Sequence, residues 1–263
     1  MVHILTPDPI REFVPEFSLQ VERFYARLMA RARESAEADR SPSLGGCLFF
    51  AGELRPETGA MVVAANIAGA ASLVATADGA AQKQAVRDGV VDFLVTSLDE
   101  ALRIMKNEIR KGETVAVCVG KVAEAVETEM HERGVRPDLL RGEITGEEIA
   151  GNAGPEGILA WRVAASPTLW LPKLDALAAN CLGDAPDLEG AIARRWLRLA
   201  PRYLGRLAQG VHLMRANRRL AARFLDLAEK RVAEGQIPVG VEIQWSRQGE
   251  AEVQSFTPKN KYA

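Results

Sequence analysis

Cysteine is scarce in this chain of 263 residues: Cys47, Cys118 and Cys181 lie far apart with no C-x-x-C spacing. That pattern excludes a disulfide framework and a zinc knuckle, and it makes a reducing cytoplasm the expected compartment. Histidine is as rare. His3, His131 and His212 are the whole set, and none stands beside a Ser or Cys nucleophile in a recognisable motif, so no metal centre is expected and each reads as a solvated or capping residue. An excess of charge of either sign is also missing: 33 Lys+Arg face 35 Asp+Glu, for a formal charge of -2, which gives no global pull toward nucleic acid or an anionic membrane. No uncharged run approaches the roughly 20 residues needed to span a bilayer. Pro7, Asp8 and Pro9 interrupt the first ten residues, so a secretory leader is not expected there. Repeats and low-complexity tracts are absent.

What remains is an ordinary globular composition, 48% hydrophobic and 26% charged, able to bury a sizeable core. Residues Phe17, Val21, Phe24, Tyr25 and Leu28 recur on one helical face, predicting an amphipathic arm over 17–39 with Ser18 as its cap. A Ser/Pro/Gly tract at 40–46 ends it. Short apolar runs then alternate with helical stretches. Strands are predicted at 47–51, 71–77, 90–95, 115–119 and 137–140, with helices between them. The helix opening at Thr96-Ser97-Leu98-Asp99-Glu100 has a cap, acids in its first turn and Gly112 as its stop. Residues 46–143 thus form a doubly wound, Rossmann-like parallel sheet.

Beyond Gly142 the pattern changes. A glycine loop at 151–157 precedes a strand at 161–165 and a helix at 167–182. Residues 188–235 read as a pair of long helices interrupted at Pro201 and near Gly210, with His212 opening the second. The segments 239–245 and 253–256 alternate with period two and close the chain as a hairpin. The fold class is α/β, with the parallel sheet inserted into a second, α+β domain. The expected division is 1–45, a helical arm packing with the C-terminal part, then 46–143, then 144–263.

A dinucleotide site on such a sheet needs glycines after the first strand, a helix N-terminus aimed at the pyrophosphate and an acid after the second strand for the ribose. The first turn supplies Gly52, Thr58 and Gly59, but also Glu53, Pro56 and Glu57. Asp78 follows the second strand. Two readings stand: NAD held by Gly52, Thr58, Gly59 and Asp78, or a degenerate turn in a structural sheet, and the second is favoured because like charges repel phosphates. Arg194 to Arg223 form a basic stripe without an intervening acid, which suits nucleic acid, a phosphorylated ligand or an acidic partner surface. Leucines and aromatics interleave with it at helical spacing, so the favoured reading is the wet side of an amphipathic pair.

Several stretches together resemble urocanase, the NAD-dependent urocanate hydratase of histidine breakdown. They are Ala68-Gly69-Ala70-Ala71-Ser72-Leu73, Thr96-Ser97-Leu98-Asp99-Glu100-Ala101-Leu102, Gly134-Val135-Arg136-Pro137-Asp138, Trp161-Arg162-Val163-Ala164-Ala165-Ser166 and the run from Arg223 through Gln236-Ile237-Pro238 to Ile243-Gln244-Trp245. The resemblance implies an NAD domain inserted into a second domain, a homodimer, and a reaction in which NAD bonds to the imidazole ring of urocanate so that water adds.

This chain departs from that pattern at the residues of the chemistry. The family's glycine-rich turn is replaced by the acid- and proline-bearing loop, its acid after the second strand falls on Thr76, and its G-N-A-A-E turn becomes Gly120-Lys121-Val122-Ala123-Glu124. The signature cysteine falls on Gln244, whose amide cannot act as a thiolate. Gly120 joins Gly52, Thr58, Gly59 and Asp78 as a candidate cofactor residue; no catalytic residue is assigned. The expectation is a protein that has lost hydratase activity and binds a small-molecule ligand or a protein partner, with no membrane or nucleic-acid role. The alternative is an NAD-dependent lyase acting on urocanate or a similar small molecule.

Overall fold

The computed structural model describes residues 10–34, 42–145, 156–183, 187–247 and 250–258. The break at 40–41, the glycine loop at 151–155, the hairpin turn at 248–249 and His3 lie outside them. The described residues fall into two units, 17–145 with 202–207, and 10–16 with 156–201 and 208–258. One unit is therefore bracketed in sequence by the other. The arm divides: residues 10–16 group with the C-terminal part, whereas the rest of the arm's helix groups with the parallel sheet.

The first unit holds α2 (Glu16–Glu34), β1 (Leu48–Glu53), α3 (Pro56–Ala68), β2 (Ala71–Ala75), α4 (Gly79–Asp88), β3 (Phe93–Val95), α5 (Leu98–Lys111), β4 (Ala116–Val119), α6 (Ala123–Glu132), β5 (Leu139–Leu140) and α7 (Arg141–Thr145). Its five strands are parallel, in the order β3-β4-β2-β1-β5. Parallel strands are covered on both faces, which explains the continuous apolar runs of the three inner strands β1, β2 and β4. On one face Leu48, Phe50, Leu73 and Val117 pack with Leu98, Ala101 and Met105 of α5 and Val126 and Met130 of α6. Helix α3 is buried from Thr58 to Ala68, as an all-round apolar helix must be.

Ser97 caps α5 by accepting the Glu100 N–H, and Gly112 ends the helix at a φ of 71°, both as the sequence predicts. Ser18 does not cap α2. That helix starts two residues earlier, at Glu16, and the Ser18 hydroxyl is buried with no partner among the described residues. The third strand is shorter than its apolar run, because Val90 and Val91 are buried in the turn leading to it.

The second unit holds α1 (Ile10–Phe13), β6 (Gly157–Val163), α8 (Pro167–Leu182), α9 (Leu188–Leu204), β7 (Val211–Ala216), α10 (Arg218–Ala233), β8 (Val241–Arg247) and β9 (Glu250–Phe256), although the last turn of α9 groups with the first unit. Its sheet is antiparallel, in the order β7-β6-β8-β9. The helix at 167–182 and the closing hairpin stand where the sequence puts them. The two long helices at 188–235 are both present, but a strand separates them. Pro201 lies inside α9, one turn from its end, and β7 occupies the place where His212 was expected to open a helix. Pairing of all six residues of β7 with β6 overrides the helical preference of Leu213, Met214, Arg215 and Ala216.

Candidate functional site at the carboxyl edge of the parallel sheet

Right-handed crossovers carry the chain from β1 to β2 and on to β3 over one face, and back from β3 through β4 to β5 over the other. Neighbouring strands β2 and β4 therefore send their chains to opposite faces. The crevice beyond their carboxyl ends is the switch point where open α/β sheets bind ligands. Thr76, Asp78, Gln82 and Gly120 meet there.

The Gln82 side chain reaches across it. Its Nε2 donates to the Thr76 carbonyl at 2.8 Å, and a Cβ at Gly120 would lie 3.3 Å from that nitrogen and 3.4 Å from the Val95 carbonyl oxygen. Gly120 thus leaves room for a close approach, and the approaching group is Gln82 of the same chain. Asp78 caps α4: its Oδ1 accepts the N–H groups of Ala80 and Ala81 at 2.8 and 3.3 Å. One carboxylate oxygen is thereby committed to the helix.

At the end of β1 the register against β2 shifts between Phe50 and Gly52, and Gly52 takes a φ of +78°. The left-handed conformation at this bulge demands glycine, and nothing stands within 4 Å of an added Cβ. Thr58 is fully buried; its Oγ1 accepts the Arg55 N–H at 2.7 Å and donates to the Glu53 carbonyl at 2.6 Å. Gly59 faces inward, where a Cβ would touch Val90 at 3.6 Å and Phe17 at 4.0 Å. Pro56 opens α3 and brings no N–H.

Glu53 and Glu57 each meet a partner of their own. Glu53 Oε2 accepts the Ala123 N–H at 3.3 Å, so this carboxylate meets the positive end of α6, whose cap residue Val122 offers no side-chain acceptor. Glu57 pairs with Arg141 at 3.3 Å. Lys121 pairs with Glu129 at 2.9 Å. Cys118, on β4 just before the crevice, has its thiol pushed up to about 11, first by burial and further by Glu53, against the lowering effect of a backbone hydrogen bond from Thr76. It stays protonated and is no nucleophile.

Gln244 lies on β8 in the other unit, between Ala160 of β6 and Val253 of β9. It is buried, and its Nε2 has no hydrogen-bond partner among the described residues. Among those residues no three His, Cys, Asp or Glu side chains gather as a metal site, and no helix is long and apolar enough to cross a membrane. Sequence reasoning missed the two residues that shape this crevice most, Glu53 as the cap of α6 and Gln82 as its cover. A glutamate seventy positions from the helix it caps leaves no local signal.

Residues 24–151 match the family model described as the Urocanase Rossmann-like domain. A curated relative, S-methyl thiourocanate hydratase of Variovorax sp. (strain JCM 16519 / RA8), is 30% identical over 127 residues, which is 47% of this chain and 22% of the relative. The match therefore spans under a quarter of that relative's length. The motifs that carry the resemblance are scaffold: Asp138 of Gly134-Val135-Arg136-Pro137-Asp138 accepts the Leu48 N–H at 2.7 Å and fixes the start of β1, and Ser97 caps α5. Residues 24–151 are therefore a Rossmann-like domain of the urocanase type, diverged from that relative.

Proposed function

We propose that this urocanase-like protein has lost urocanate hydratase activity and uses the crevice between β2 and β4 to bind a neutral or cationic small molecule. One observation carries the reading: the two helix starts beside the crevice are already met by carboxylates of the chain itself, α4 by Asp78 and α6 by Glu53. A pyrophosphate needs those positive ends and their free N–H groups. The residues present do not fit it, since Pro56 removes a donor from α3, Gln82 covers Gly120, and each added anion would lie near a carboxylate. Gln244 in place of a thiolate supports the same conclusion for the hydration step.

The second reading, an NAD-dependent hydratase acting on urocanate or a similar small molecule, is favoured by the name of the S-methyl thiourocanate hydratase relative. One experiment separates them. The purified chain is denatured and assayed for released dinucleotide, then melted with added NAD, and urocanate loss is followed by its ultraviolet absorbance. The first reading expects no released NAD, no shift in melting and no turnover. A ligand of the folded state at a hundredfold excess over its Kd stabilises by about 2.7 kcal/mol. Such a shift together with turnover establishes the second reading and ends the first.

A further inference from the structure

Strand β7 holds His212 directly opposite Trp161 of β6. The His212 Nδ1 lies 2.8 and 2.9 Å from the two carboxylate oxygens of Asp175 on α8. Trp161 donates from Nε1 to Asp175 Oδ1 at 3.1 Å, and its buried ring packs on Phe224 with centroids 5.0 Å apart. The carboxylate is therefore aimed by a rigid strand. Side chains of His212 and Asp175 keep 16% and 14% of their exposure, so the pair reaches the surface. The described chain has two non-glycine residues with positive φ, and they lead into the elements that carry the pair: Ser166 at 51° before α8 and Gln209 at 49° before β7. Strained backbone of this kind clusters at functional sites.

We propose that Asp175 and His212 form a proton-transfer pair in the antiparallel-sheet unit, His212 acting as general base toward an O–H or N–H group of a small molecule and Asp175 as its positioning residue. An ionised carboxylate only accepts, so it holds the hydrogen of the neutral ring on Nδ1 and leaves the lone pair on Nε2. In the step, the substrate's O–H or N–H bond breaks with its electrons staying on the substrate, and an N–H bond forms at Nε2. The imidazolium then lies against the carboxylate. Return of that proton restores the ring. This pair lies outside residues 24–151 and is independent of the crevice.

The test uses the full chain and diethyl pyrocarbonate at neutral pH, with each histidine's modification resolved by mass spectrometry. His131, exposed on α6, is the internal reference. His212 is expected to react at least as fast as His131. Asp175→Asn is expected to slow His212 by about tenfold without altering His131, because Trp161 holds the amide oxygen, turns the amide N–H toward Nδ1 and moves the ring hydrogen to Nε2. An unreactive His212 that reacts only in urea overturns the proposal, as does a rate unchanged by Asp175→Asn. Should that variant fail to fold, nitrogen-15 NMR of the parent chain decides: a bare Nε2 upholds the proposal, and an Nε2–H tautomer sinks it.

Discussion

Glu53, the last residue of β1, caps a helix that begins seventy positions later, its Oε2 accepting the Ala123 N–H at 3.3 Å. The contact ties two elements of the parallel sheet together at the crevice and neutralises the start of α6. Glu53→Ala is expected to lower unfolding free energy by about 1 kcal/mol. Glu53→Gln keeps an acceptor and loses only the charge–dipole part, about 0.5 kcal/mol. Urea titrations of both variants check the order: Ala below Gln below the parent, with similar slopes. Equal midpoints for all three would remove Glu53 from the account of the crevice.

Much of the scaffold is legible in the sequence because its signals are local. Ser97 and Gly112 mark the ends of α5 within the helix's own reach, and continuous apolar runs reveal the buried parallel strands. The candidate site is less legible, since one residue type serves two purposes. An aspartate between a strand and a helix suits a ribose or a helix cap, and only the positions of the Ala80 and Ala81 N–H groups identify Asp78 as a cap. His212 is the opposite case: its partner Asp175 stands 37 residues away, and the strand that brings them together forms only by pairing with β6.

Gln244 carries a buried donor with no partner among the described residues, a group that in water would be hydrogen-bonded. Leaving it unmet opposes folding, so Gln244→Leu, of similar size, is expected to stabilise the chain by about 1 kcal/mol. Gln244→Cys is expected to stabilise less, because it leaves a void. Neither variant is expected to turn over urocanate, since the helix starts at the crevice remain capped by Asp78 and Glu53. Chemical unfolding and an absorbance assay read the two outcomes separately.

Gly157 opens β6 where β8 crosses it closely. A Cβ there would lie 2.9 Å from the Trp245 ring and against the Ser246 carbonyl oxygen. Backbone and a buried indole cannot retreat cheaply, so Gly157→Ala is expected to cost about 3 kcal/mol. Gly79 is the control: at the first turn of α4 nothing stands within 4 Å of an added Cβ. Gly79→Ala is expected to stay within about 0.5 kcal/mol of the parent. Thermal melts of the two variants should separate clearly.

Cys118 links the crevice to alkaline stability. Its thiol rises from the ordinary 9.0 to about 11 in the folded chain, chiefly because burial disfavours the thiolate. Below pH 9 both folded and unfolded chains keep the proton and no dependence arises. Between pH 9 and 11 the unfolded chain has lost the proton while the folded chain retains it, so the unfolded state binds fewer protons and stability falls as pH rises. That rise corresponds to at most about 2.7 kcal/mol, and solvent screening near the crevice brings the expectation to about 2 kcal/mol or less. Cys47 and Cys181 are also pushed up by burial and act with the same sign. Cys118→Ala should therefore flatten part of the alkaline decline and leave the rest. Urea midpoints at pH 8 and pH 10.5 measure the difference, and an equal decline in parent and variant would show that Cys118 titrates as freely in the folded chain as in the unfolded one.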